Sequence, residues 1–452
     1  MSAAGAPLHE LTATEAAAAI REKRCSPLEL VEALLARIDA TDARVKAWVL
    51  VDRDGARAEA RRAADEAARG LFRGPLHGVP FGAKDIFYSA GLPTEAGSEI
   101  LKGFVPTYDA TSVARLKAAG AILLGKLHTT EFATFDPAPT RNPWNLEHTP
   151  GGSSSGSAAA VAARMVSISL GTQTVGSVIR PPSYCGLAGI KPTFGRVSVR
   201  GVVPLTWTQD HVGFMARSVE DLALVLQVVA GRDPHDASTA SESVPDYRAA
   251  LGGKRAPRVG LLREFFMEKC DAEVARVTRD ALGRLTGAGA TIEEVKLPPS
   301  FAIAHAAGWT IARTETAGCH AELYPGNAER YRPGIRAIIE AGQLVPGELY
   351  LKALRLRRRF RSDMVRLLER VDVLLTPTTP TPAPAGMPTG DPVFQMPWSV
   401  SGVPTVTVPC GLSASGLPLG LQLIAPPFGE APLLAAAGWC EEVLGRLPAP
   451  RV

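Results

Sequence analysis

The stretch from Gly151 to Gly195 restricts the fold more than any other part of this 452-residue chain. It opens Gly151-Gly152-Ser153-Ser154-Ser155-Gly156-Ser157 and runs through the apolar Ala158–Arg164. Its second half begins Gly171-Thr172-Gln173-Thr174-Val175-Gly176-Ser177-Val178-Ile179-Arg180-Pro181-Pro182. A Gly/Ser-rich run is ordinarily a flexible linker. A linker separates modules, whereas this run feeds directly into a segment that reads as a buried helix. Small residues on a loop entering a helix point instead to backbone packed closely around something. The run lacks the Gly-Lys-Ser/Thr ending of a phosphate loop. Ser177 is not in a G-x-S-x-G elbow either, because Val175 and Ile179 occupy the glycine positions.

The rest of the chain suits a large α/β enzyme. Hydrophobic residues make up 46% and charged residues 21%, an ordinary globular balance with material for a sizeable core. The net charge of +4 is small for this length and gives no case for nucleic acid. The basic run Arg355–Arg361, with Glu348 and Asp363 near it, reads as a solvated helix face. The six cysteines are scattered without a C-x-x-C pair, so neither a disulfide framework nor a zinc site is expected. Met1–Glu10 lacks the basic start and apolar run of a signal peptide. No apolar run approaches the roughly 18 residues of a membrane span. The expectation is a cytoplasmic, reduced protein with no membrane contact, no metal and no cofactor. A homodimer is left open.

In chain order, Thr12-Ala13-Thr14-Glu15 and Ser26-Pro27-Leu28-Glu29 are capping-box patterns. Leu28, Val31, Leu34, Leu35 and Ile38 then recur at helical spacing. A third helix is expected over about 53–69. Leu76–Lys84 reads as a turn and short strand in which Pro80 sets an edge or a bend. A helix over Thr111–Ala119, strands at Ala121–Leu124 and Met165–Leu170, and core segments at Cys185–Pro192 and Val197–Pro204 follow. Ser218–Ala230 is an amphipathic helix. Residues 231–256 are a polar excursion or linker. A strand–helix–strand unit spans 258–297, a mainly helical region spans 301–370, and Val371–Leu375 is a strand. Strands over Pro397–Ala425 and a last helix at about 430–444 close the chain. Alternation of helices and strands implies a mixed, twisted sheet covered by helices on both faces, in one large domain. Its parts are a helical arm (1–70), a core region (71–230), an αβ and helical region (231–370) and the remainder of the core (371–452).

The two halves of the Gly151–Gly195 stretch resemble the amidase signature family. A third segment, Gly78-Val79-Pro80-Phe81-Gly82-Ala83-Lys84-Asp85, matches that family's G-V-P-x-x-x-K-D. The resemblance covers nearly all of the chain and is weakest over 234–254 and 301–349. It implies that 71–230 is the catalytic core and that 231–370 varies and roofs the substrate pocket. It implies a Ser–cis-Ser–Lys triad: Ser177 the nucleophile, Ser153 the bridging serine after a cis peptide, Lys84 the base, and Ser154 helping to hold the lysine. It also implies an oxyanion hole from the backbone N–H groups of Thr174, Val175, Gly176 and Ser177.

The chemistry fits the residue types. Amides resist hydrolysis, and a covalent acyl intermediate divides the difficulty into two steps. A serine hydroxyl needs a base, and a lysine serves only when neutral, a form that burial favours. Lys84 sits between Phe81 and Ile86 on a strand expected to be buried. Among the eight histidines, His77, next to Gly78, is the best candidate for a different triad.

The chain departs from the common G-T-D-T-G-G-S-I-R pattern. Gln173 replaces an acid, Val175 a glycine, and Arg180 stands three residues after Ser177 instead of two. Ser155 replaces a loop glycine. The arginine offset matches the malonamidase-like branch, where such an arginine meets a substrate carboxylate. It also fits less well with the glutaminase subunit of a tRNA-dependent amidotransferase. Arg180 and Gln173 are therefore candidate substrate contacts, and Trp144, Trp207, Trp309 and Tyr324 candidate pocket walls. The expected function is hydrolysis of the C–N bond of a small amide, extending to esters, anilides or carbamates (urethanes). The alternatives are an ammonia-producing subunit of a partner-dependent amidotransferase and a non-catalytic binding protein on the same fold.

Overall fold

The computed structural model describes residues 7–253 and 255–452. The start of the chain, which carries no signal-peptide pattern, lies for residues 1–6 outside the described residues. So does Lys254 in the polar excursion.

Among the described residues, eleven strands form one sheet. They are β1 (Trp48–Val51), β2 (Pro80–Lys84), β3 (Ile122–Leu127), β4 (Ile168–Gln173), β5 (Ala188–Lys191), β6 (His211–Ala216), β7 (Arg258–Leu261), β8 (Thr291–Glu294), β9 (Val373–Pro377), β10 (Thr405–Leu412) and β11 (Pro418–Ile424). The spatial order is β1-β3-β2-β4-β6-β5-β10-β11-β9-β7-β8, and the pairings are mixed. Every residue of β2, β3, β4, β5, β6, β9 and β11 is buried. Side chains alternate between the faces of a strand, so complete burial means both faces are covered. Helices supply that cover, and the chain is a single large α/β domain. Because both halves of the chain join one sheet, residues 231–256 are an excursion and not a linker between domains.

The local signals behave as physics requires. The capping boxes at Thr12/Glu15 and Ser26/Glu29 form, with both reciprocal bonds, ahead of helices Ala13–Arg21 and Pro27–Val45. Pro80 is the first residue of β2, where a missing N–H costs least, but β2 is an interior strand and not an edge. The basic run lies on helix Gly347–Leu368. There Arg359 pairs with Asp363, and Arg357 donates to the Thr208 carbonyl. Strands β1 and β6 have no marked counterpart in the sequence pattern. Val197–Pro204 forms no strand, contributing only isolated bridges. No helix among the described residues is long and apolar enough to cross a membrane.

Candidate active site

Strands β2 and β4 lie side by side and parallel, so their carboxyl ends meet at the same edge of the sheet. Lys84 is the last residue of β2, and β4 ends at Gln173, four residues before Ser177. The Gly/Ser loop fills the space between these ends and helix Ser155–Ala162. Three features explain its composition. Gly151 has φ +81°, a left-handed value that favours glycine. A Cβ on Gly152 would lie 2.7 Å from the Thr389 side chain, and one on Gly156 would lie 2.3 Å from the Ala47 carbonyl. The Gly152–Ser153 peptide is cis. Ser155, where the family has glycine, donates to the Gly151 carbonyl at 2.7 Å and closes the loop on itself.

The Lys84 ammonium group is fully buried and donates to Ser153 Oγ at 2.8 Å and to Thr172 Oγ1 at 3.0 Å. Burial pulls its pKa down to about 7, against the opposing pull of the Asp210 carboxylate. A substantial neutral fraction therefore exists at neutral pH. Thr172 is a site residue that the sequence reading does not single out. Ser154 does not bond the lysine directly. Its hydroxyl donates to the Thr172 carbonyl at 3.3 Å, bracing the residue that does. A signal for Thr172 exists, since it is the threonine of the matched Gly171-Thr172 segment.

Gln173 is a structural brace. Its side-chain carbonyl accepts the N–H groups of Val178 (2.9 Å) and Ile179 (3.1 Å), and its amide donates to Ser399 Oγ at 3.0 Å. Ser399 in turn donates to the Val175 carbonyl at 2.9 Å. Thr174 is fixed from the other side, where its hydroxyl donates to Asp210 Oδ1 at 2.5 Å. The loop is thereby turned so that the N–H groups of Thr174, Val175, Gly176 and Ser177 meet no protein acceptor among the described residues. Gln173 is wholly buried and does not line the cavity, which removes it as a substrate contact.

Ser177 opens on a cavity walled by Phe135, Val175, Leu205, Trp309 and Ile338, among others. Its hydroxyl has no hydrogen bond to Ser153, so the structure joins Lys84 to Ser153 but leaves the Ser153–Ser177 step open. Hydrogen bonds of this kind are commonly long before substrate binds. Arg180 reaches the same cavity. Its Nη2 donates to the Gly152 carbonyl at 2.7 Å, while Nε and Nη1 are buried without a partner. Burial lowers this guanidinium to about 10, which leaves it charged at neutral pH.

Of the four aromatic residues expected at the pocket, Trp309 alone lines it. Trp144 donates to the Cys185 carbonyl and packs with Tyr184 and Leu417. Trp207 covers Gly318, and Tyr324 packs on Tyr331. His77 is structural. It is buried, with Nε2 at 2.9 Å from the Ala63 carbonyl and Nδ1 accepting the Arg73 N–H. Asp85 does not line the cavity and pairs with buried Lys126 at 3.1 Å, fixing the turn after Lys84. Among the described residues, no group of three or more His, Cys, Asp and Glu is placed to hold a metal.

Comparison with known proteins agrees with the geometry. The family profile described as Amidase matches residues 29–434. The chain belongs to the amidase family. Among its relatives, a glutamyl-tRNA(Gln) amidotransferase subunit from Anaeromyxobacter sp. (strain K) is 44% identical, over 100% of this chain and 99% of its own length. Among solved structures, one described as an unexpected vestigial protein complex revealing the evolutionary origins of an s-triazine catabolic enzyme superposes with a TM-score of 0.91. Its identity is 34%, covering 97% of this chain and 100% of that one. The native peptide amidase of Stenotrophomonas maltophilia superposes with a TM-score of 0.88 at 31% identity, covering 98% and 99%. The amidase family thus spans both free amidases and the kind of subunit that the Arg180 offset disfavours. The identity to the amidotransferase relative brings that reading back into contention.

Proposed function

We propose that this amidase hydrolyses the C–N bond of a small amide through an acyl-enzyme on Ser177, with Ser153 and Lys84 as the proton relay. The observation that carries the reading is the buried Lys84 held at 2.8 Å from Ser153 beside a loop of four unengaged N–H groups. Neutral Lys84 takes the Ser153 proton as Ser153 takes that of Ser177. Ser177 Oγ attacks the carbonyl carbon, and the resulting oxyanion accepts the N–H groups of residues 174–177. One such donor contributes about 3 kcal/mol to the transition state. The lysine proton returns through Ser153 to the leaving nitrogen, and the amine departs. Water then attacks the ester, delivers its proton along the same relay, and releases the acid. Esters, anilides and carbamates offer the same carbonyl. The six free cysteines suit the reducing cytoplasm.

A second reading, supported by the names of the relatives, makes the same chemistry the ammonia source of a partner-dependent amidotransferase. Purified protein decides between them. Turnover of simple amides by the chain alone, with Ser177 labelled by a serine-directed phosphonate, is expected for a free amidohydrolase. Labelling without turnover until a partner is added would favour the partner-dependent reading. No labelling at all would overturn both.

Arg180 supports a polar acyl end. Its two unpaired nitrogens, Nε and Nη1, are suited to a carboxylate or a carbonyl oxygen, while the bond from Nη2 positions Gly152 next to Ser153. Arg180→Ala should therefore slow every substrate by disturbing the loop. Carboxylated amides should lose roughly a further tenfold or more, the worth of a charged hydrogen bond. Steady-state kinetics on carboxylated and apolar amides, with the melting temperature measured alongside, checks this. Equal loss in both classes with a destabilised fold would reduce Arg180 to a structural role.

A further inference from the structure

The charge inventory of the Ser177 cavity is one-sided. Its titratable lining side chains are Arg180 at the floor and Arg313, with no aspartate or glutamate among the lining residues. The nearest carboxylate by electrostatic influence on the lysine, Asp210, is already engaged by Thr174, Leu205 and Thr206 and does not line the cavity. Arg313 is exposed on helix Ala304–Cys319, and its guanidinium has neither an ion pair nor a hydrogen bond among the described residues. What holds it is the Trp309 ring, 5.8 Å from its Cζ, and Trp309 in turn packs against Phe135 with ring centroids 5.8 Å apart. A cation resting on an aromatic wall at the mouth of a cavity whose lining holds a second arginine and no carboxylate attracts an anion and repels a cation, and the low-dielectric walls focus that field.

Building on the amidohydrolase reading, we infer that Arg313, supported by Trp309, is a specificity-determining residue that receives a carboxylate of the substrate. The preferred substrates are then carboxylated amides without an ammonium group. An amino acid amide such as glutamine is disfavoured because the cavity offers its ammonium no carboxylate partner. The carboxylate reaches Arg313 from either the acyl or the amine side of the scissile bond.

Four amides test this with the purified full chain: butyramide, glutaramate, glutamine and N-butyrylglycine. Butyramide carries no charge. Glutaramate places the carboxylate on the acyl side, N-butyrylglycine places it on the amine side, and glutamine is glutaramate with an added ammonium. At least one of the two carboxylated amides should exceed both butyramide and glutamine in kcat/KM, and which one does so fixes the side. Arg313→Gln should lower that preferred substrate about three- to fivefold, as for loss of an exposed ion pair, and leave butyramide within about twofold. Arg313→Lys should restore part of the loss. Since Arg313 is exposed, both variants should fold. Equal turnover of charged and neutral amides, a preference for glutamine, or an equal effect of Arg313→Gln on butyramide would overturn the inference while leaving the amidohydrolase reading intact. A protein that hydrolyses none of the four would overturn both.

Discussion

Replacing Ser177 by alanine is expected to lower kcat/KM for any amide by about 10⁴-fold or more, the scale on which triad members act together. Lys84→Met should be comparably severe, because methionine fills the same buried space and cannot accept a proton. Ser153→Ala removes the group that links the two and leaves the lysine bonded to Thr172 alone. Since the three residues act as one unit, the Ser177→Ala/Lys84→Met double variant should be hardly slower than either single one. The Ser177 hydroxyl makes no hydrogen bond among the described residues, so its alanine variant should melt near the wild-type temperature. Turnover close to wild type in Ser177→Ala would sink the assignment of the nucleophile.

The second large effect is on pH. Lys84 acts as a base only after losing its proton, and burial brings that loss down to about pH 7. Activity should therefore be low in acid, rise through neutrality with a single ionisation, and level off on the alkaline side. The direction is fixed by the chemistry, since the active form is the deprotonated one. The Asp210 carboxylate favours the protonated lysine, so Asp210→Asn should move the midpoint to lower pH, alongside a loss of rate from the loosened Thr174. A profile of kcat/KM against pH for both proteins checks this. An acidic optimum, or a midpoint that moves upward in Asp210→Asn, would contradict it.

The parts of this design that are legible in the sequence are those in which one residue's chemistry is tied to its neighbours along the chain. Both N-terminal capping boxes can be read because a cap and its partner lie three residues apart. The glycines around Ser153 can be read because a left-handed turn and the close approach of neighbouring groups both call for glycine there. What escapes depends on distant partners. Gln173 resembles a substrate contact because an amide beside a nucleophile suggests recognition, yet its acceptor and donor groups are spent on the loop and on Ser399. Ser154 lies one bond further from Lys84 than the family pattern implies, because Thr172, on another strand, stands between them. Residue size is a poor guide to the pocket walls. Trp144, Trp207 and Tyr324 satisfy that criterion while being used for packing elsewhere. Arg313 is unmarked in the sequence, since an isolated arginine on a helix has nothing in its context to distinguish it.

The catalytic loops are tied to remote parts of the chain. Gly152 donates to the Thr389 carbonyl, and Gln173 and Val175 are both held by Ser399, more than 220 residues downstream. Gly156 is seated against Ala47, far upstream. During synthesis the three side chains of the proposed triad leave the ribosome long before the residues that orient them. Until the last sixth of the polypeptide has emerged, a nascent chain holds Ser177 with no fixed surroundings. Competence to cleave an amide is thus among the last properties that translation confers, and a prematurely terminated product is chemically silent rather than a loose hydrolase.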